Sequence, residues 1–141
     1  MTLFWQRWLT VWSFGIALFG LVLFGAGFVA TSGPSAAVFA FLGNPLATEP
    51  DRFLRFTTSL MGAVTFGWGA TSYILFRALA QLERASAAPL WRLLTALTLM
   101  WYVIDSAASI ANCFALNAFS NTFFMVAFLI PIFVNRVVTE S

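Results

Sequence analysis

The stretch that decides the fold runs from Leu93 to Ala118 and reads LLTALTLMWYVIDSAASIANCFALNA. It is long and apolar enough for a transmembrane helix, since about 20 such residues span the roughly 30 Å of bilayer hydrocarbon. Asp105 lies inside it, about as far from Arg92 as from Asn117. At about 1.5 Å of rise per helical residue, its carboxyl group is expected near the bilayer centre. An acid at that depth is costly, so Asp105 is a functional-site hypothesis.

The composition of the whole chain is that of a membrane protein. Of its 141 residues, 61% are hydrophobic and 9% are charged, whereas about 25% of residues are charged in soluble domains. Four apolar runs predict four spans within a single transmembrane domain that covers residues 1–141. Their expected bounds are about 9–30, 56–77, 92–116 and 121–135. The sequence therefore predicts an all-α integral membrane four-helix bundle.

Arginine placement predicts the orientation of these spans. One side of the membrane is expected to hold five arginines, namely Arg7, Arg77, Arg84, Arg92 and Arg136. The opposite side holds Arg52 and Arg55, which Glu49 and Asp51 offset. Because positively charged residues accumulate in cytoplasmic segments, both termini are expected in the cytoplasm.

The first outer loop, residues 31–51, contains a short apolar segment at 36–42. Ser32-Gly33-Pro34 provides a helix start, and Gly43 with Pro45 provides a stop. A helix of this length cannot span the bilayer, so we expect it to lie in the outer interface. Two roles stay open for it: a lid over the end of the bundle, and a gate or docking surface.

Small residues recur at spacings of three and four in the first two spans. Gly20 and Gly27 lie on one face of the first span, and Gly62 and Gly69 lie on one face of the second. Lipid tails give helices no hydrophobic drive to associate, so small residues that allow close backbone approach mark the contact faces. The four glycines are therefore predicted helix-packing positions.

The third span carries a polar face that includes Asp105, Ser109 and Asn112. Aligning the spans by their end charges places Thr65 at the depth of Asp105, where no basic residue is expected. The neutral acid is then the expected form, hydrogen-bonded to Thr65, Ser109 or Tyr102. Three roles stay open for Asp105: hydrogen-bonding within the bundle, proton or ligand binding, and pairing with a partner subunit.

Aromatic side chains are expected near the same depth. They belong to Trp68, Trp101 and Tyr102. In a pocket they could stack on a lipid, a quinone or a carotenoid, because apolar sites with a few polar groups suit such cofactors. The alternative is that these rings only fill space in the bundle.

Missing residue types exclude several functions. The chain has no His and one Cys, and its seven basic residues are all arginines. Histidine-ligated haem or metal sites, a lysine Schiff base and a Cys-x-x-Cys redox centre are therefore excluded. The charges are spread over the helix ends and form no nucleic-acid-binding surface. No catalytic residue and no metal site are predicted, so we expect a protein that is not an enzyme.

Three motifs in the first half of the chain bear on its family. They are the first span from Phe14-Gly15 to Gly27, the loop end Pro50-Asp51-Arg52-Phe53, and the second span from Met61-Gly62 to Gly67-Trp68-Gly69. In these the chain resembles the small four-helix proteins of the DoxX-like families. The resemblance implies a multi-pass protein of the bacterial inner membrane, accessory to a larger system. It carries over no functional residue.

The functional hypothesis is a non-catalytic accessory or assembly subunit of a larger bacterial membrane complex. Its partners would be other membrane protein subunits, or further copies of this chain, together with lipids. One alternative is a small oligomeric carrier of protons, ions or solutes centred on Asp105. The other is a binder of an apolar cofactor or lipid, such as a quinone or a carotenoid.

Overall fold

The computed structural model describes residues 1–43 and 50–139, and these residues fold into helices joined by short turns. The α-helices are α1 (Leu3–Phe24), α2 (Gly33–Phe41), α3 (Arg52–Leu79), α4 (Arg84–Ala111) and α5 (Ala115–Val134). Two 3-10 turns, Gly25–Gly27 and Val29–Thr31, connect α1 to α2. The all-α expectation is confirmed for this part of the chain.

Three helical segments of the described residues are long and apolar enough to cross a membrane: Leu3–Gly27, Arg84–Ala111 and Ala115–Val134. This indicates a membrane protein. The predicted second span corresponds to α3, which at 28 residues is long enough but is not among the three. Its threonines, serines and three arginines make it more polar than the other long helices.

The third and fourth predicted spans differ from α4 and α5 in their bounds. We expected 92–116 and 121–135, whereas α4 is Arg84–Ala111 and α5 is Ala115–Val134. The turn between them therefore lies several residues earlier than the polar residues at 117–121 had indicated. At the other end, α4 begins at Arg84, eight residues before the expected start at Arg92, because a helix does not have to stop at a charged residue or at a proline in its first turns.

The turn between α4 and α5 is a Schellman motif. Cys113 has a φ of 65°, and its N–H donates to the carbonyl of Ile110 at 3.1 Å. The N–H of Phe114 donates to the carbonyl of Ser109 at 2.8 Å. These two bonds satisfy carbonyls that the end of a helix leaves without partners. Glycine is the usual residue at the position that Cys113 occupies.

The short helix α2 forms where the loop sequence predicts it. Ser32 precedes it, Pro34 lies in its first turn, and Gly43 follows it with a φ of 83°. The hydroxyl of Ser32 donates to the carbonyl of Val29 at 3.0 Å, so it does not cap the helix. The stop predicted at Pro45 lies outside the described residues.

The chain divides into two compact units, and the first comprises Met1–Trp12 and Tyr73–Ser141. An aromatic cluster forms its core. Phe76 stacks on Trp91 at a centroid distance of 5.7 Å, and Trp12 contacts Phe128 at 5.4 Å. Phe128 is fully buried.

Trp8 compensates for a proline inside α5. Pro131 has no N–H, so the carbonyl of Ala127, four residues earlier, loses its helical donor. The indole Nε1–H of Trp8 donates to this carbonyl oxygen at 2.8 Å. Neighbouring side chains commonly satisfy backbone groups that a proline leaves unpaired within a membrane helix, and here Trp8 does so.

The second unit comprises Ser13–Ser72. In it, the backbones of α1 and α3 approach closely at glycines. A Cβ atom placed on Gly62 would lie 2.6 Å from the carbonyl oxygen of Gly20. One placed on Gly69 would lie 2.7 Å from the carbonyl oxygen of Ser13. One on Gly27 would meet the Ser59 hydroxyl at 2.8 Å. Gly20, Gly62 and Gly69 therefore lie where backbone atoms of the neighbouring helix leave no room for a side chain, and Gly27 lies against a serine side chain.

Candidate functional site

Asp105 lies near one end of α4. It is six residues before Ala111, the last residue of the helix, which corresponds to roughly 9 Å along the axis. The distance from Arg84, at the other end, is 21 residues, or roughly 32 Å. The carboxyl group is therefore closer to the α4–α5 turn than the central position that the length of the apolar stretch had predicted.

Three side chains donate hydrogen bonds to one oxygen of Asp105. Its Oδ1 accepts from Asn117 Nδ2 at 3.2 Å, from Asn121 Nδ2 at 3.0 Å and from Ser109 Oγ at 3.1 Å. The single hydroxyl proton of Ser109 is shared with the backbone carbonyl oxygen of Asp105, which lies 2.7 Å from Oγ. The amide of Asn117 also donates to the hydroxyl of Ser109 at 2.8 Å. We call these four residues the Asp105 cluster. The cluster joins α4 to α5 by neutral donors.

The two asparagines are members of the Asp105 cluster that the sequence did not predict. Their positions follow from the turn, because residues equally distant from it along two antiparallel helices lie at the same level. Asp105 and Asn121 are each eight residues from Cys113 (113 − 105 = 121 − 113 = 8). Ser109 and Asn117 are each four residues from it (113 − 109 = 117 − 113 = 4). Correct placement of the turn would have revealed both pairs.

The other polar residues proposed for the site make bonds of their own. The amide of Asn112 donates to the carbonyl of Ala108 at 2.8 Å, where it helps to end α4. Thr65 belongs to the other unit, and its hydroxyl donates to the carbonyl of Met61, one turn earlier in α3, at 2.9 Å. The hydroxyl of Tyr102 pairs with that of Thr122 at 2.9 Å, a second polar link between α4 and α5.

Asp105 also faces a shallow groove on the outside of α4. The groove has a volume of about 490 Å³ and is lined by Leu97, Met100, Trp101, Ile104, Asp105 and Ala108. We call it the α4 groove. Leu97, Met100 and Ile104 are exposed, and Asp105 is half-buried. Trp101, one of the three aromatic residues proposed for cofactor binding, lines this groove, whereas Trp68 belongs to the other unit.

Arginines of α4 bind the end of α5 and the turn that follows it. A guanidinium nitrogen of Arg84 donates to the carbonyl of Arg136 at 2.9 Å, and Arg92 Nε donates to the carbonyl of Val138 at 2.7 Å. Arg92 is 13 residues from Asp105, which is roughly 20 Å along the helix. These cations therefore act at the opposite end of α4 from the carboxyl group.

The donor set of the site limits its chemistry. Within residues 1–43 and 50–139, no three His, Cys, Asp or Glu side chains gather in a group that could hold a metal ion. The groove offers one carboxyl group among apolar side chains. Such a site can pair with a hydrogen-bond donor or a cation, and it can pack against an apolar surface.

Comparison of the chain with protein-family models, with curated proteins and with solved structures gives no match. The resemblance to the DoxX-like families stays a prediction.

Proposed function

We propose that this protein is a non-catalytic accessory or assembly subunit of a larger membrane complex, and that it docks on a partner through the α4 groove. The observation that carries the proposal is the exposure of α4 around Asp105. Of the most apolar part of α4, only 17% is buried within the chain, against 44% for the Leu3–Gly27 segment and 33% for α5.

Exposed leucines alone would be compatible with a helix face that contacts lipid, but the presence of Asp105 on that face is not. A carboxyl group that faces hydrocarbon is costly, and acids in membrane helices therefore face protein or a polar cavity. Two of the three bonds to Oδ1 come from α5 and one from Ser109 of α4 itself, while the groove opens on the outside of α4. A partner helix in the α4 groove would remove the carboxyl group from lipid, which supports a docking role.

We further propose that α3 is a fourth span, and that both termini lie in the cytoplasm of a bacterial cell with the protein in its inner membrane. The hydroxyls of α3 support the fourth span. Thr57 and Thr65 donate to carbonyls one turn earlier in α3, and Ser59 donates to the carbonyl of Phe24. A hydroxyl that bonds to a backbone carbonyl leaves little polar surface for the bilayer to solvate, so composition alone overstates the polarity of α3.

The volume of the α4 groove supports a second candidate function. About 490 Å³ falls within the range of small-molecule sites, which are apolar with a few polar groups. A binder or carrier of an apolar molecule would place a polar group of its ligand on Asp105 and a flat ring against Trp101. The open shape of the groove fits a helix better than a small ligand, because ligand pockets enclose most of the ligand surface.

Photo-crosslinking in native membranes tests the docking proposal. A photoreactive amino acid at Ile104, in the α4 groove, is compared with one at Phe123, an α5 position of similar exposure (63% and 71%). We expect Ile104 to give a discrete protein adduct and Phe123 to give lipid adducts. Lipid adducts at both positions would contradict docking, and a small-molecule adduct at Ile104 alone would favour the second candidate.

A further inference from the structure

We infer that the α4 groove receives a transmembrane helix of a different protein, and that this helix carries a lysine or arginine that pairs with Asp105. The inference rests on the proposed docking function and adds the chemistry of the partner.

The hydrogen-bond partners of Asp105 are the first argument. Its three donors are a hydroxyl and two amides, all neutral, and all of them bind Oδ1. Apart from Asp105, the α4 groove is lined by apolar side chains. Acids within membranes pair with one another or with basic groups, and a basic side chain both donates hydrogen bonds and compensates the charge.

A second copy of this chain is a poor source of that cation. The chain has no lysine or histidine, and its arginines other than Arg92 lie in or beyond the end turns of the helices, where long basic side chains extend toward water. Arg92 lies farther inside α4, but toward the end opposite Asp105. Arg92 donates to the carbonyl of Val138, and Arg55 donates to the carbonyl of Pro50. Nη1 of Arg55 has no hydrogen-bond partner, but it is buried within the chain and so is closed to a second copy. In a two-fold symmetric contact through the α4 groove, a second copy would present its own Asp105 rather than a cation.

The shape of the groove is the argument for a helix. Its six lining residues recur at spacings of three and four from Leu97 to Ala108 and cover roughly 16 Å of helix axis. That spacing marks the face that one helix presents to another in a packed pair. Asp105 lies within this face, so a partner side chain at the matching depth would meet the carboxyl group directly.

Model transmembrane helices test the inference with the full-length protein in phosphatidylcholine vesicles. A donor fluorophore is attached to Cys113, the single cysteine, which is exposed in the α4–α5 turn. The probes are acceptor-labelled Leu/Ala peptides of about 24 residues. One carries a lysine roughly 9 Å from the end that lies level with Cys113, and the matched peptide carries leucine there. A third peptide carries its lysine two turns deeper, as a control for register.

We expect energy transfer to report binding of the matched lysine peptide at least about fivefold tighter than that of the leucine peptide, a preference in the range of one membrane hydrogen bond. The deeper lysine should give no such preference. In Asp105→Asn the preference should fall below about twofold, since the amide keeps an acceptor oxygen for the three donors but carries no charge. Ser120→Ala, at an α5 hydroxyl bonded to its own helix, should retain it.

Equal binding of the lysine and leucine peptides by the unmodified protein would overturn the cation inference. So would a lysine preference that survives in Asp105→Asn. Self-association of the labelled protein that Asp105→Asn abolishes would overturn the assignment to a different protein. Failure here is distinguishable from failure of the docking proposal, because a protein adduct at Ile104 can be obtained whatever residue the partner carries.

Discussion

The contact between α1 and α3 permits a prediction with a matched control in the same helix. A Cβ atom on Gly62 would lie 2.6 Å from the Gly20 carbonyl oxygen, 0.8 Å closer than the 3.4 Å at which ordinary contacts begin (3.4 − 2.6 = 0.8). The obstructing atoms are backbone atoms, which cannot rotate away. Gly62→Ala must therefore separate the two helices, and overpacking of this kind lowers the free energy of unfolding by about 1–3 kcal/mol.

Gly67→Ala is the matched control. It lies in α3 as well, and a Cβ atom there would have nothing within 4 Å. Because alanine favours helix over glycine by about 0.8–1.0 kcal/mol, this variant should equal or exceed the wild type in stability. Gly20→Ala and Gly15→Ala repeat the comparison in α1, since Gly15 is equally open.

The assay is equilibrium unfolding in mixed micelles with increasing sodium dodecyl sulfate, followed by tryptophan fluorescence. It reports the free energy of unfolding of each variant. Helical content by circular dichroism should be unchanged, because alanine is a good helix former. If Gly62→Ala and Gly67→Ala had the same free energy of unfolding, the close approach of α1 and α3 at Gly62 would be refuted.

Three further predictions concern the first unit. Trp8→Phe should lower the free energy of unfolding by about 0.5–2 kcal/mol. In the Pro131→Ala background it should have no such cost, because position 131 regains an N–H for the Ala127 carbonyl. An equal cost in both backgrounds, measured in a double-mutant cycle, would refute the idea that Trp8 replaces the donor missing at Pro131. Asp105→Asn should change stability by less than about 0.5 kcal/mol, whereas Asp105→Leu should cost about 1–2 kcal/mol. If the leucine variant were as stable as the wild type, the hydrogen bonds to Oδ1 would contribute nothing. Cys113→Gly should stabilise by about 1 kcal/mol, because a left-handed conformation strains every residue except glycine; thermal unfolding of this variant below the wild type would contradict the Schellman geometry.

Some features of this fold can be predicted from residue spacing alone. The packing glycines are of this kind, because seven-residue separations keep Gly20 and Gly27, or Gly62 and Gly69, on one face of a helix. The helix α2 is also predictable, since Ser32-Gly33-Pro34 is a helix start signal and Gly43 a stop signal, each with a steric cause. Both depend on local chemistry that does not need the tertiary structure.

The turn between α4 and α5 could not be predicted in the same way. Residues 91–130 contain no glycine or proline, so the strongest local signals for a turn are absent. Cys113 adopts the left-handed conformation that glycine usually adopts. Asn117 and Asn121 looked like the end of a span, yet they lie inside α5 and donate to Asp105. A polar residue within an apolar stretch can mark a boundary or a site, and only the tertiary contact distinguishes the two.

Asp105 stands out when the hydrogen-bond partners of the polar groups in the helices are compared. The hydroxyls of Thr95, Thr98 and Thr122 each donate to a carbonyl one turn earlier in the same helix, and the indole of Trp8 serves the carbonyl that Pro131 leaves open. These groups need nothing from outside the chain. Asp105 differs, because its neutral donors reach one oxygen while the carboxyl group also lines the α4 groove. Natural chains depart from local consistency mainly at functional or strained sites, so the groove is where a partner is expected.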